Sequence, residues 1–326
     1  RKAYELAKPV LQTRANEGCV RICHGDLHLG NIFTGAIGPV LFDAIEFNEA
    51  FSHIDILYDL AFLLMDVDYR VGKRPATVLM NRYLDHSGNP TGVCVVPFLM
   101  SVRAAIRAHV SASAAAKHAD PAAAEQLRRH ACQYLAVASD CLRDVTPRLI
   151  AVGGLSGSGK SRMARVVASA LDTVPGARVV RSDTVRKRLA GVPFDERLPA
   201  DSYTPAASAQ IYAACLDEAR QILKSGYPVV LDAVFAKSAE RSSAETLAAG
   251  TGVPFDGLWL EAPMSVMRER VEERRHNASD ANAAVIEVQS GYDLGNIQWT
   301  RVDSSGKKEQ TESLAFACLG LERGVE

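Results

Sequence analysis

The sequence predicts an α/β chain. A parallel sheet with flanking helices is expected over residues 147–326, preceded by a mostly helical region over residues 1–146. Three observations carry that expectation. The first is Arg148-Leu149-Ile150-Ala151-Val152-Gly153, an apolar run that reads as a buried strand. It leads into Gly154-Leu155-Ser156-Gly157-Ser158-Gly159-Lys160-Ser161 and then into the helically periodic stretch 162–171. The second is the alternation of strand and helix patterns after that point, which calls for crossover connections and therefore parallel strands. The third is the apolar helical periodicity within residues 75–143, broken at Asp120-Pro121 and followed by Thr146-Pro147, where the domain junction is expected.

At 326 residues the chain is long enough for two domains with separate cores. A hydrophobic share of 48% with 23% charged residues is ordinary globular composition. The net charge of −1 gives no general electrostatic reason to bind nucleic acid or an anionic membrane. Seven scattered cysteines, an odd number without paired C-x-x-C spacing, suggest neither a disulfide framework nor a zinc site. Cys23, in an apolar run, reads as a core thiol. The most apolar stretch, 93–116, is interrupted by Arg103, Arg107 and His109, and no signal peptide is visible, so a cytoplasmic location without a membrane partner is expected. Arg1 is not a natural start, which implies processing or a longer parent chain. The oligomeric state is left open.

Residues 2–17 predict a helix ending near Gly18. In the apolar-flanked run after it, His24-x-Asp26-x-x-x-x-Asn31 has the spacing of a kinase catalytic loop, where the Asp accepts the substrate hydroxyl proton and the Asn binds Mg²⁺. The next strand, within 40–47, offers Asp43 and Glu46 as metal-binding carboxylates, and the sequence does not choose between them. The wording Gly25-Asp26-Leu27-His28-x-Gly30-Asn31 resembles the aminoglycoside phosphotransferase and choline kinase-like family. That resemblance implies a partial lower kinase lobe over 1–146, with Asp26 catalytic, Asn31 a metal ligand, and Asp43 or else Glu46 the second ligand. Asp55 and Asp59 also resemble residues of that family's following helix, where capping and bracing the loop is the expected role and a ligand role the alternative. The family's nucleotide lobe precedes this loop. Only 23 residues stand before His24, so the region is expected to be inactive as it stands.

The stretch 154–161 is G-x-x-x-x-G-K-S between a strand and a helix, the context of a phosphate loop. Glycines let backbone N–H groups curl around an anion, and the following helix N-terminus adds positive potential. Gly154, Leu155, Ser156, Gly157, Ser158, Gly159, Lys160, Ser161 and Arg162 are therefore the expected binding set for ATP. Lys160 is placed to reach the β/γ-phosphates and the Ser161 hydroxyl to ligate Mg²⁺. Further strands are expected at 178–181, 228–232, 258–260 and 297–302. Ligands of such sheets bind at the carboxyl ends of strands. There Asp183 reads as the base for an acceptor hydroxyl, with Arg186 gripping substrate; the alternatives are a helix N-cap and a solvated face. Asp232 reads as the acid orienting water on Mg²⁺, and Arg241 as a weaker phosphate contact. On the helix 264–277, Arg270 and Arg274 share a face and suit a lid over the transferring phosphate. The alternative is a salt-bridged surface helix. The polar segment 277–281 would suit a mobile lid.

This set resembles the small P-loop kinases of the polynucleotide kinase, gluconate kinase and zeta-toxin group. The order of the whole resembles bacterial fusions of an aminoglycoside phosphotransferase-like part with an AAA-type ATP-binding part. The resemblance implies an ATP-dependent phosphotransferase acting on a small hydroxylated molecule. The alternative is a nucleotide-hydrolysing regulator without an acceptor.

Overall fold

The structure, a computed structural model, describes residues 1–273 and 279–322, with the side chains of residues 200 and 283 left aside. The chain divides into two units. The first comprises Arg1–Met80, Gly92–Val145 and Asp172–Gly176; the second comprises Asn81–Thr91, Thr146–Leu171 and Ala177–Glu326. Two segments thus fall outside a simple cut at 146/147.

The first unit opens with α1 (Lys2–Asn16), which stops where Gly18 takes φ +75° and its N–H returns to the Ala15 carbonyl. Two small antiparallel ribbons follow. One pairs β1 (Val20–Ile22) with β4 (His53–Asp55), the other β2 (Ile32–Gly35) with β3 (Gly38–Leu41). A 3-10 turn, Leu29–Asn31, precedes β2, and the short α2 (Glu49–Ser52) precedes β4. The ribbons expose much apolar surface: Ile37 at the β2–β3 turn is 101% exposed, and Ile22, Phe33, Leu41, Phe42 and Phe47 are exposed as well.

The helical part consists of α3 (Ile56–Arg70), α4 (Lys73–Ser87), α5 (Val96–Lys117) and α6 (Pro121–Asp140). Leu57, Leu60, Ala61, Leu64 and Met65 bury one face of α3, the i, i+3, i+4, i+7 spacing that makes a helix amphipathic. The Asp120 carboxylate caps α6, accepting from the N–H groups of Ala122 and Ala123 at 3.0 and 3.3 Å, with Pro121 at the first helical position. Among the described residues, 93–117 is the one helical stretch long and apolar enough to cross a membrane, and half of its apolar window is buried within the protein. Its Arg103 guanidinium lies 3.9 Å from the Tyr58 ring centroid.

The second unit is built on a five-stranded parallel sheet: β5 (Leu149–Gly153), β6 (Arg178–Arg181), β7 (Val229–Asp232), β8 (Phe255–Glu261) and β9 (Thr300–Asp303), in the order β6-β7-β5-β8-β9. Central β5 has Leu149, Ile150, Ala151 and Val152 all at 0% exposure. A strand covered on both faces carries a continuous apolar run rather than an alternating one. Around the sheet lie α7 (Lys160–Ala170), α8 (Ser182–Ala190), α9 (Pro205–Lys224), α10 (Ser238–Thr251), α11 (Met264–Glu272), α12 (Ala283–Ser290) and α13 (Lys308–Leu319). On one face of the sheet a core gathers Ile150, Val152, Val230, Leu258 and Val302 of the strands with Met163 and Val167 of α7 and Phe316 of α13. The chain first builds β6 and β7 on one side of β5, then β8 and β9 on the other. Such a reversal opens a crevice at the carboxyl end of the central strand.

Two strands differ from expectation. β8 begins at Phe255, because backbone pairing with β5 carries it through Asp256 and Gly257, which interrupt the apolar run. β9 begins only at Thr300, while the buried Ile297 and Trp299 pack from the approaching segment. Within the second unit the end of α4 is clamped to β6. Asn81 Oδ1 accepts from the Val179 N–H at 2.7 Å, and Arg178, fully buried, pairs with Asp85 and Glu218 at 2.6 and 2.8 Å.

Candidate active site

The phosphate loop leaves β5 at the crevice and enters α7. Gly154, Gly157 and Gly159 take φ of +140°, +89° and +90°, a region costly to any residue with a Cβ. Space adds a second restriction. A Cβ on Gly154 would meet the Leu260 carbonyl oxygen at 2.6 Å, and one on Gly157 would meet that of Met267 at 2.5 Å. Gly159 is the N-cap of α7. Among the described residues, the N–H groups of Gly157 and Gly159 meet no protein acceptor. The loop is fastened elsewhere: the Gly154 N–H donates to Val234 O at 3.2 Å and the Ser158 N–H to Leu155 O at 3.1 Å. The Ser158 carbonyl accepts from Ser304 Oγ at 2.8 Å. The Lys160 ammonium curls back to the Leu155 carbonyl at 3.5 Å, while Arg162 pairs with Glu312 of α13.

Asp232 ends β7, in register with Val152 on one side and Arg181 on the other. It is 1% exposed, and among the described residues neither carboxylate oxygen accepts a hydrogen bond. Its counter-ion is Arg181, whose Nε lies 3.3 Å from Oδ2. The same guanidinium reaches Asp183 Oδ2 with Nη2 at 3.2 Å. Arg181, the last residue of β6, therefore joins Asp232 at the end of β7 to Asp183 in the first turn of α8, a link that no spacing in the sequence indicates. Asp183 lies inside the first turn of α8; the N-cap is Arg181, without a side-chain capping bond. Capping is therefore not its role.

A buried carboxylate lacking hydrogen bonds, with the Ser161 hydroxyl one residue into α7, is an oxygen donor set that suits Mg²⁺. That ion usually takes one or two protein ligands together with waters and phosphate oxygens. Among the described residues, no group of three or more His, Cys, Asp or Glu gathers to hold a metal.

Other expected residues are occupied differently. Arg186 donates to Ser202 O and, at 3.5 Å, to Ser208 Oγ, and lies 4.7 Å over the Tyr203 ring. Arg241, 3% exposed, donates to the carbonyls of Phe235, Ala236, Leu294 and Asn296. Those bonds make it a brace of the backbone, not a phosphate contact. Arg270 donates to Ser304 O at 2.7 Å, beside the loop, whereas Arg274 falls outside the described residues, as do positions 277 and 278 of the expected lid. Asp280 is anchored. Lys187 Nζ, the Leu198 N–H and Tyr203 Oη donate to it at 2.9, 3.0 and 2.5 Å. Burial acts to raise its pKa, but these bonds outweigh burial and hold the carboxyl below its ordinary range.

The first unit places Asp26 and Asn31 together: Asn31 Nδ2 donates to Asp26 O at 3.0 Å and to Oδ2 at 3.3 Å. Asp43 lies next to Phe42, whose N–H donates to Asn31 O at 3.1 Å, and takes φ +63°, which an Asp tolerates better than most residues. Asp43 and Glu46 are both exposed. Asp59 accepts from the N–H groups of His24 and Gly25 at 3.0 and 2.9 Å, and Asp66 from that of Leu29 at 3.0 Å. Asp55 caps α3 and pairs with Arg14 at 2.8 Å. Cys23 is only half-buried; burial chiefly, with Asp59 and Asp55 nearby, pushes its thiol up to about 11.

An uncharacterized protein of Mycobacterium tuberculosis is 32% identical over 311 residues, covering 93% of this chain and 60% of that protein. One of Mycobacterium bovis gives the same figures. The chain thus spans three-fifths of the length of the curated relatives it matches. Among solved structures, a gluconokinase from Sinorhizobium meliloti is 22% identical with a TM-score of 0.37, covering 55% of this chain and 94% of that one. The Mycobacterium tuberculosis APS kinase CysC, in complex with AMPPNP and APS, is 19% identical with a TM-score of 0.39, covering 54% and 99%. Likeness at that level says nothing of substrate. The stretch that carries the phosphate loop, Asp183 and Asp232, residues 149–292, matches the model of the family described as AAA domain.

Proposed function

We propose that the second unit is an ATP-dependent kinase that transfers the γ-phosphate of ATP to a hydroxyl of a small molecule. The observation that carries this reading is the Asp183–Arg181–Asp232 chain of charges at the strand ends beside the phosphate loop. A phosphate cradle alone suffices for nucleotide binding. A second, part-exposed carboxylate beside it suits an acceptor hydroxyl, which must lose its proton as it attacks. Lys160 and the loop amides would hold the phosphates, and Ser161 and Asp232 the metal. Mg²⁺ supplies charge neutralisation on the transferring group. Asp183 takes the acceptor proton, and Arg181 keeps the two carboxylates apart from one another and oriented.

A nucleotide-hydrolysing regulator is the second reading. The engagement of Arg186 by Ser202, Ser208 and Tyr203 favours it, since that side chain is already committed within the protein. In the first unit, the Asp26–Asn31 pair with Asp43 nearby is proposed as a kinase-type loop of the aminoglycoside phosphotransferase kind.

Acceptor-stimulated ADP release, screened over sugars, nucleosides and oligonucleotides, separates the two readings. With a responding acceptor, Asp183→Asn is expected to lower turnover by about 10²–10⁴ while ATP affinity survives. Lys160→Ala is expected to weaken Mg-ATP strongly in calorimetry. Full turnover in Asp183→Asn would put the regulator reading first.

A further inference from the structure

The first half of the phosphate loop is held from outside the motif. Leu155 packs against Met267 and Val271 of α11 and Ile286 of α12. Gly157 lies directly on α11, close enough that a Cβ would strike the Met267 backbone. Between them, the Ser156 N–H donates to Oε1 of Gln289, on α12, at 2.8 Å. Both residues are buried, Ser156 at 5% and Gln289 at 7% exposure.

We propose that Gln289 is a positioning residue of the nucleotide site, a role that rests on the nucleotide-binding reading above. A loop with three left-handed glycines has much freedom to lose, and its fixed shape must come from its surroundings. Gln289 accepts the one N–H between the plugged Leu155 and the packed Gly157. That bond sets the first half of the loop, so that the Gly157 and Gly159 N–H groups remain directed into the cradle. A neutral amide suits the position. A carboxylate would accept the same bond but add negative charge beside the phosphates. The two helices that carry Arg270 and Gln289 are thereby fastened to the residues that would grip phosphate.

The test uses Mg-ATP and Mg-ADP as probes in calorimetry, together with exchange of the Ser156 amide hydrogen and the melting temperature. Gln289→Leu removes the acceptor at similar size. It is expected to weaken both nucleotides by the same factor, about 5–150-fold, the effect of leaving one buried donor unsatisfied. Exchange at Ser156 should quicken as well. Gln289→Glu keeps an acceptor, so Ser156 should stay protected while ATP is weakened more than ADP. Wild-type or tighter nucleotide binding by Gln289→Leu would overturn the proposal; tighter binding would mean that the side chain competes with phosphate. Should Gln289→Leu fail to fold, the Glu variant decides: rapid Ser156 exchange, or equal weakening of ATP and ADP, overturns it. Failure of the nucleotide reading shows separately, as absence of Mg-ATP binding by the wild-type chain, and overturns both. Failure of the Gln289 role alone leaves the contrast between wild type and Lys160→Ala intact.

Discussion

The two loops that bear kinase-type motifs are stiffened by opposite means. In the His24–Asn31 loop, backbone N–H groups are taken by carboxylates from the helix behind it: Asp59 holds His24 and Gly25, and Asp66 holds Leu29. In the Gly154–Ser161 loop, the glycine N–H groups at 157 and 159 meet no acceptor among the described residues, and stiffness comes from packing on α11 and α12. The difference separates two kinds of chemistry. Where the amides are taken within the protein, those of His24, Gly25 and Leu29 by carboxylates and those of Gly30 and Asn31 by His28, the loop offers its side chains instead, here Asp26 and Asn31. A loop whose amides are kept open can bind an anion with its backbone, and its side chains are secondary.

The sharpest way to break the second arrangement is Gly157→Ala. Left-handed strain and the clash with Met267 together are expected to cost roughly 2–5 kcal/mol. Mg-ATP binding should fall below detection in calorimetry. Retained binding would show that packing on α11 does not fix the loop. The corresponding change in the first unit is Asp59→Ala, which strands the buried Gly25 N–H. It should cost about 1–3 kcal/mol of that unit's stability in denaturant titrations, with nucleotide binding by the second unit unaffected.

Acid offers a gentler comparison. Asp280 and Glu218 both have carboxyls held below their ordinary range. Burial opposes this in each case, but Asp280 is outweighed by its bonds from Tyr203, Lys187 and the Leu198 N–H, and Glu218 by Arg178 and Arg188. A depressed folded-state pKa contributes stability that is complete above the ordinary carboxylate value and lost as pH falls through the folded one. The second unit should therefore lose stability on acidification below the carboxylate range. Asp280→Asn should flatten part of that loss in melting curves taken across pH. The smallest expected effect is that of Asp26→Ala, which should leave ATP turnover by the second unit unchanged. A large loss would mean that the two loops work together.

The local parts of this molecule were legible in the sequence, and its long-range pairings were not. The buried β5, the glycine-rich turn after it and the β6 strand at 178–181 follow from apolar runs and glycine placement, which are properties of neighbours along the chain. Asp232 was legible because it ends an apolar run. The Arg181 bridge was not, since nothing in the spacing of residues 181, 183 and 232 shows that β7 inserts beside β6. Gln289 sits 133 positions from Ser156, in a helix whose pattern suggests only burial. Arg186 and Arg241 show the same limit: nothing along the chain indicates that the carbonyl of Ser202 accepts from the first, or that those of Leu294 and Asn296 accept from the second.

The two ribbons of the first unit have a practical consequence. Each has only two strands, so each presents outer edges with unpaired backbone groups, bordered by exposed Ile22, Phe33, Leu41 and Phe42. Such edges invite strand addition by other chains, and a net charge of −1 provides almost no mutual repulsion between molecules. Salts that strengthen apolar association, such as sulfate, will worsen the adhesion. As a colloid this chain is therefore better served by low ionic strength and by a pH displaced from neutrality than by salting.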